Sequence, residues 1–147
     1  QYKAAIFPKR EGGNRYQYKG RNRDMTGLLV DVQRSTVKIV NVSGLQDYYR
    51  LIGCTTVEIV NRKIGNKRYE IICDDEGLLT NEPIVSAIDG KLQPMLVGNL
   101  IIAGEADTDG NLTSLKADDL ANLNVNLRYV FSRKKPMGYP VICWMEY

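Results

Sequence analysis

Short stretches in which apolar side chains recur every second residue dominate this chain. A two-residue period marks a strand with one face buried, and a 3.6-residue period marks a helix. Thr26–Val32 and Thr36–Val42 are β-branched, apolar runs separated by Gln33, Arg34 and Ser35, which predicts a hairpin. Val57–Val60 and Arg68–Cys73 flank Gly65-Asn66 and predict a second hairpin. Between the two, Leu45, Tyr48, Tyr49 and Ile52 fall on one helical face. This predicts a helix over Gly44–Ile52, capped by Ser43 and ended by Gly53. Leu96–Ala103 is the strongest candidate for a single buried strand. Ser114–Leu123 carries Leu115, Ala117, Leu120 and Leu123 and predicts a second short helix.

The remaining segments are less regular. Tyr2–Phe7 reads as a short strand closed by Pro8, and residues 9–24 as a polar loop or solvated hairpin without an apolar period. Residues 78–95 read as irregular, since Pro83 and Pro94 exclude a continuous helix. Asn126–Ser132 and Val141–Tyr147 predict two last strands around a turn at Lys134–Gly138. The expected fold is α+β: a small antiparallel-rich sheet with two short helices, forming one domain over residues 1–147. Ile39, Ile59, Ile71 and Ile101 are expected to share one core.

These elements come in a recognisable order: the strand Thr36–Val40, the helix Leu45–Gly53, the strand Val57–Val60, a tyrosine-bearing strand ending at Asp74-Asp75-Glu76-Gly77, then Asn81-Glu82-Pro83. Val97-Gly98-Asn99-Leu100-Ile101-Ile102-Ala103-Gly104 follows, with Asp109-Gly110-Asn111 and Thr113-Ser114-Leu115 after it. From about Thr36 to Leu123, three-fifths of the chain, the sequence resembles a small domain-of-unknown-function family carried by bacteriophages and other mobile elements. The resemblance implies an α+β domain of mobile-element origin and brings no accepted catalytic residues. Residues 1–35 and 124–147 lie outside it as extensions.

The chain's 147 residues suit one domain, and 44% hydrophobic and 25% charged residues exclude disorder of the whole chain. No apolar run approaches the roughly 18 residues of a membrane span, and the first residues do not read as a targeting signal. No membrane partner and a cytoplasmic location, in a host cell if phage-encoded, are the expectation. Cys54, Cys73 and Cys143 each sit on an apolar run with no paired-cysteine spacing, as reduced core thiols do. Disulfides, metals and cofactors are therefore not expected.

Histidine is absent altogether. That removes the commonest general base and the hydroxyl–imidazole and thiol–imidazole pairs, and argues for binding over chemistry. Glu105–Asn111 has the alternating oxygens of a calcium loop, but Lys116 stands at the twelfth position, where a bidentate carboxylate is needed. It reads as a polar turn. Asp74-Asp75-Glu76 and Asp118-Asp119 read as solvated faces rather than acid–base pairs.

Charge is unevenly spread around a net +3. Residues 1–70 hold 14 Lys/Arg against 6 Asp/Glu, residues 71–124 hold 2 against 10, and residues 125–147 hold 4 against 1. Basic ends flanking an acidic middle suit either an anionic ligand or self-association. Within the basic ends, Arg15, Tyr16, Tyr18, Arg21, Arg23, Arg133 and Lys134 are the candidate ligand-binding residues. Arginine forks match phosphate oxygens, and tyrosine faces stack on bases. Nine tyrosines against two phenylalanines strengthen that reading. The expectation is a non-catalytic, homo-oligomeric binder that sequesters a phosphate-bearing, nucleotide-type small molecule, a candidate counter-defence sponge for an immune signal. The alternative is a protein or nucleic-acid interaction module acting as an antirestriction or host-takeover factor; a metal-dependent hydrolase ranks last.

Overall fold

The structure, a computed structural model, describes residues 24–77, 83–129 and 141–147. The expected strand at Tyr2–Phe7 and the loop at residues 9–23 lie outside the described residues. Nine strands and two helices are built from the rest: β1 Met25–Asp31, β2 Thr36–Val42, α1 Leu45–Ile52, β3 Val57–Ile64, β4 Lys67–Asp74, β5 Val85–Ile88, β6 Pro94–Val97, β7 Leu100–Gly104, α2 Ala117–Val125, β8 Leu127–Tyr129 and β9 Val141–Trp144. The fold is α+β and strand-rich, with two sheets where one was expected. A five-stranded antiparallel sheet runs β2-β1-β7-β4-β3, and a four-stranded sheet runs β6-β5-β9-β8 with β5 parallel to β9.

The large sheet is covered on both faces, and the two-residue period sorts its side chains accordingly. Leu28, Val30, Val60, Ile64, Tyr69, Ile71, Leu100 and Ile102 face the small sheet and α2, packing with Ala87, Leu96, Val141, Cys143 and Leu123. Met25, Leu29, Val40, Val42, Ile72, Ile101 and Ala103 face the other way, onto Tyr48 and Ile52 of α1. Two cores result rather than one. Ile71 belongs to the first and Ile101 to the second, and Ile59 packs at the edge of the second. Ile39 belongs to neither and is 57% exposed.

The apolar run Leu96–Ala103 does not form one strand. It is cut at Gly98, whose φ of 78° lies in the left-handed region that favours glycine. Val97 ends β6 at the edge of the small sheet, and Leu100 opens β7 at the centre of the large one. The crossing is pinned on both sides: Gly98 donates its amide to Ile84 O at 2.8 Å, and buried Asn99 accepts from Val32 N at 2.9 Å. Residues 83–88, expected to be irregular, contain β5 because Ala87 pairs with Cys143, far along the chain.

Local signals placed the first hairpin, its turn and α1 correctly, with one reversal. Ser43 does not cap α1; its amide and hydroxyl both donate to Asp47 Oδ2, at 2.8 and 2.9 Å. The amide of Ser43 is the chief reason the Asp47 carboxyl titrates below the ordinary value. Gly53 ends the helix as expected, donating to Tyr49 O.

The second helix is Ala117–Val125 rather than Ser114–Leu123. Ser114 Oγ accepts from Thr26 N and Leu115 N donates to Thr26 O, so these residues are tied to β1 and the helix begins after them. Its Asp119 is not solvated. It is buried, and Oδ1 accepts from Lys67 Nζ at 2.6 Å and Tyr69 Oη at 3.1 Å, while Oδ2 accepts from Lys116 N at 2.9 Å. Asn122 Nδ2 completes the junction, donating to Tyr69 Oη and Ile64 O. The β3–β4 turn approaches so closely that a Cβ on Gly65 would lie 2.2 Å from Asn122 Oδ1.

Burial alone would raise the Asp119 carboxyl, but the Lys67, Lys116 and Tyr69 donors outweigh it and hold it below the ordinary value. The hydrogen bond to Asp119 raises Lys67 in turn. Replacing Asp119→Ala removes the acceptor of three donors, Lys67 Nζ, Tyr69 Oη and Lys116 N, and should cost about 2–3 kcal/mol. In thermal unfolding at neutral pH that is a drop of about 5–10 °C. Asp119's contribution exists above its unfolded pKa and disappears as pH falls through the lower folded one, so the gap between parent and Asp119→Asn should close on acidification below about pH 4. A gap that persists at low pH would mean the carboxylate's charge is not what joins α2 to the hairpin.

Candidate functional site

All seven residues singled out from the sequence, Arg15, Tyr16, Tyr18, Arg21, Arg23, Arg133 and Lys134, lie in residues 1–23 and 130–140, outside the described residues. The described structure shows what stands at the base of the second segment. β8 and β9 pair antiparallel, with Arg128 opposite Ile142 and Tyr129 opposite Val141. Leu127 and Cys143 point inward and are buried, so alternation turns Arg128 and Trp144 outward, and both are exposed. Arg128 and Trp144 are diagonal neighbours, within reach of long side chains. The Arg128 guanidinium lies over the indole, 4.7 Å from the ring centroid. Its Nη1 donates to Leu127 O at 3.1 Å and also to Val125 O. These bonds fix the plane of the fork. Among the described residues no carboxylate pairs with Arg128, so a cation stacked on the chain's single tryptophan faces solvent.

A second polar cluster, not anticipated from the sequence, lies on the β3–β4 hairpin. Arg68 donates to Asn61 Oδ1 at 2.8 Å and to Tyr147 O at 3.1 Å. Asn61 Nδ2 in turn bridges Glu70 Oε1 and Glu105 Oε2, at 3.3 and 3.1 Å. Glu70 Oε2 accepts from Ala106 N at 2.7 Å. Buried Arg62 stacks on the Tyr147 ring, 4.6 Å from the centroid, and donates to Asn61 O. The available signal was Arg62-Lys63 and Lys67-Arg68 on either side of the Gly65-Asn66 turn, which sets four cations at one hairpin end. Lys63 and Arg68 stand directly opposite each other, an unfavourable pairing that Asn61 and the tail relieve for Arg68. This cluster holds the tail and the 105–106 loop against the sheet.

The other groups with chemical potential are committed to structure. Asp107 Oδ1 accepts from the amides of Asp109 and Asn111, so the calcium-like loop is a turn closed on its own carboxylate. Burial pushes the thiols of Cys54 and Cys143 up to about 12 and that of Cys73 higher still, which leaves all three protonated and poorly nucleophilic at neutral pH. Burial also raises the Asp74 carboxyl. Among the described residues, no set of three or more acidic or thiol ligands converges in a metal-binding geometry, and no helix is long and apolar enough to cross a membrane.

No curated protein and no solved structure matches the chain. One family does: the DUF3846 family, a domain of unknown function, matches residues 25–128. The match starts at β1 and ends in β8, wider than the 36–123 stretch that the element order suggested, so both strands of the first hairpin lie within the shared domain. The extensions shrink to residues 1–24 and 129–147. With this match spanning well over half of its length, the chain belongs to the DUF3846 family.

Proposed function

We propose that this protein is a non-catalytic binder of a phosphate-bearing, nucleotide-type small molecule. The exposed Arg128–Trp144 stack carries the reading. It combines a flat aromatic surface with a cation that has no carboxylate partner among the described residues, and Arg133, Lys134 and Lys135 follow it in the chain. Arginine supplies paired donors to phosphate oxygens, and an aromatic ring supplies a face for a base. Arg15, Tyr16, Tyr18, Arg21 and Arg23 contribute the same chemistry from the other extension, with Arg133 and Lys134 beside the stack in sequence. A sequestering protein needs affinity and abundance rather than a nucleophile, which suits a chain with no histidine and raised thiol pKa values. The bacteriophage and mobile-element origin implied by the sequence resemblance gives this binding a purpose: removal of a nucleotide immune signal in the host cytoplasm.

The test is isothermal titration of the full chain with a panel of cyclic and linear nucleotides, with inorganic phosphate as control. One nucleotide class should bind and be recovered chemically unchanged after denaturation. Single alanine variants at Arg15, Arg21, Arg23, Arg128, Arg133 and Lys134 should each weaken it about ten- to a hundredfold where the side chain meets phosphate, since a charge-assisted hydrogen bond contributes roughly 1.5–3 kcal/mol. Arg128→Lys keeps the charge without the planar fork and should rescue only part of the loss. Binding that is confined to polynucleotides and collapses steeply with salt would instead favour a nucleic-acid interaction module. Parent-like binding by every variant would refute the site.

A further inference from the structure

A sheet edge is a row of unpaired amides and carbonyls, and natural proteins shorten, cover or interrupt such rows. Among the described residues, β6 and β3 are managed in those ways. β6 has four residues and begins at Pro94, which has no amide to offer. β3 is covered where Lys63 and Glu146 exchange two backbone hydrogen bonds, at 2.8 and 2.7 Å.

β2 is the exception. It is seven residues long, pairs with β1 in unbroken register without a bulge or proline, and carries a single charge, Lys38. Among the described residues its outer side makes no backbone hydrogen bond. At its midpoint Ile39 is 57% exposed. Its cross-strand partner Leu28 is buried in the core between the sheets, so Ile39 continues that apolar face beyond its cover.

We infer that β2 is the dimer interface of this protein, pairing antiparallel with β2 of a second copy about a twofold axis at Ile39 and joining two five-stranded sheets into one of ten. The sequence of the strand suits this occupant. An antiparallel twofold must centre on a residue, because opposed side chains share a face. Centring on Lys38 would oppose two cations, which is destabilising. Centring on Ile39 opposes isoleucine to isoleucine, sets Lys38 against Val40, and uses all seven residues.

Light scattering on the full chain at micromolar concentration should give twice the 16.6 kDa chain mass. Ile39→Lys, at an exposed position that tolerates the change, should give the monomer mass with native circular dichroism. Ile39→Cys should form an intermolecular disulfide on mild oxidation, because residues facing each other across an antiparallel pair lie about 4.5–5.5 Å apart, within disulfide range. Thr36→Cys should not, since the two copies of that position would lie about 20 Å apart. The native thiols are common to both variants, which makes the second the control for the first. A monomeric parent overturns the inference, including one whose β2 amides are protected from hydrogen exchange by another segment. So does a dimer that survives Ile39→Lys and fails to cross-link through Ile39→Cys.

Discussion

The central strand Leu100–Gly104 is buried along its whole length and on both faces, and the rest of the domain answers to that fact. A strand in the middle of a five-stranded sheet satisfies its backbone through its neighbours, here β1 and β4. Its side chains must then be kept from water on both sides at once, each buried aliphatic contributing roughly 1.5–3 kcal/mol. Ile101 and Ala103 are met by α1, and Leu100 and Ile102 by the small sheet. Neither cover could be lost without exposing half of the sheet's apolar surface. The shared family domain runs from β1 to β8 and therefore contains the whole large sheet, both helices and part of the small sheet.

Buried and half-buried polar groups in this domain act as joints. Asn99 fastens the crossing between sheets to the end of β1. Asp119 and Asn122 seat α2 on the β3–β4 hairpin. Asp31 closes the first turn through the amide and guanidinium of Arg34, and Glu70 holds the loop after β7 through Ala106 N. Each such group costs free energy to bury unless it is hydrogen-bonded, and here each is placed where one element must meet another. The interior is thus specified by polar contacts at its seams and by apolar contacts between them. Among the described residues, the Arg128–Trp144 stack and the outer side of β2 lie on the surface, away from these seams.

The two sites proposed stand apart in the fold. The stack belongs to the small sheet, next to a basic stretch of chain, and the β2 edge belongs to the large sheet. A dimer through β2 would leave β8 and β9 untouched, since the small sheet does not contribute to that edge.

Much of the fold was legible locally. The hairpins Met25–Val42 and Val57–Asp74 and the helix Leu45–Ile52 are written in period-two and period-3.6 patterns bounded by Ser35, Gly65 and Gly53, because their pairing partners are near in sequence. What sequence could not divide was the run from Leu96 to Ala103, where two successive strands, each buried on both faces, read as one stretch of continuous hydrophobicity. Only the positive φ at Gly98 and the separate partners of β6 and β7 split it between sheets. Asp119 looked like any exposed acid until Lys67 and Tyr69, some fifty residues earlier, were brought beside it. Ile39 looked like a core residue until the sheet ended next to it. The sequence by itself determined the two hairpins and the first helix, since these depend on spacing along the chain between near neighbours. The tertiary structure decided where β5, β6 and β7 divide, which faces are covered and which charges are paired, since those depend on distant neighbours that spacing does not reveal.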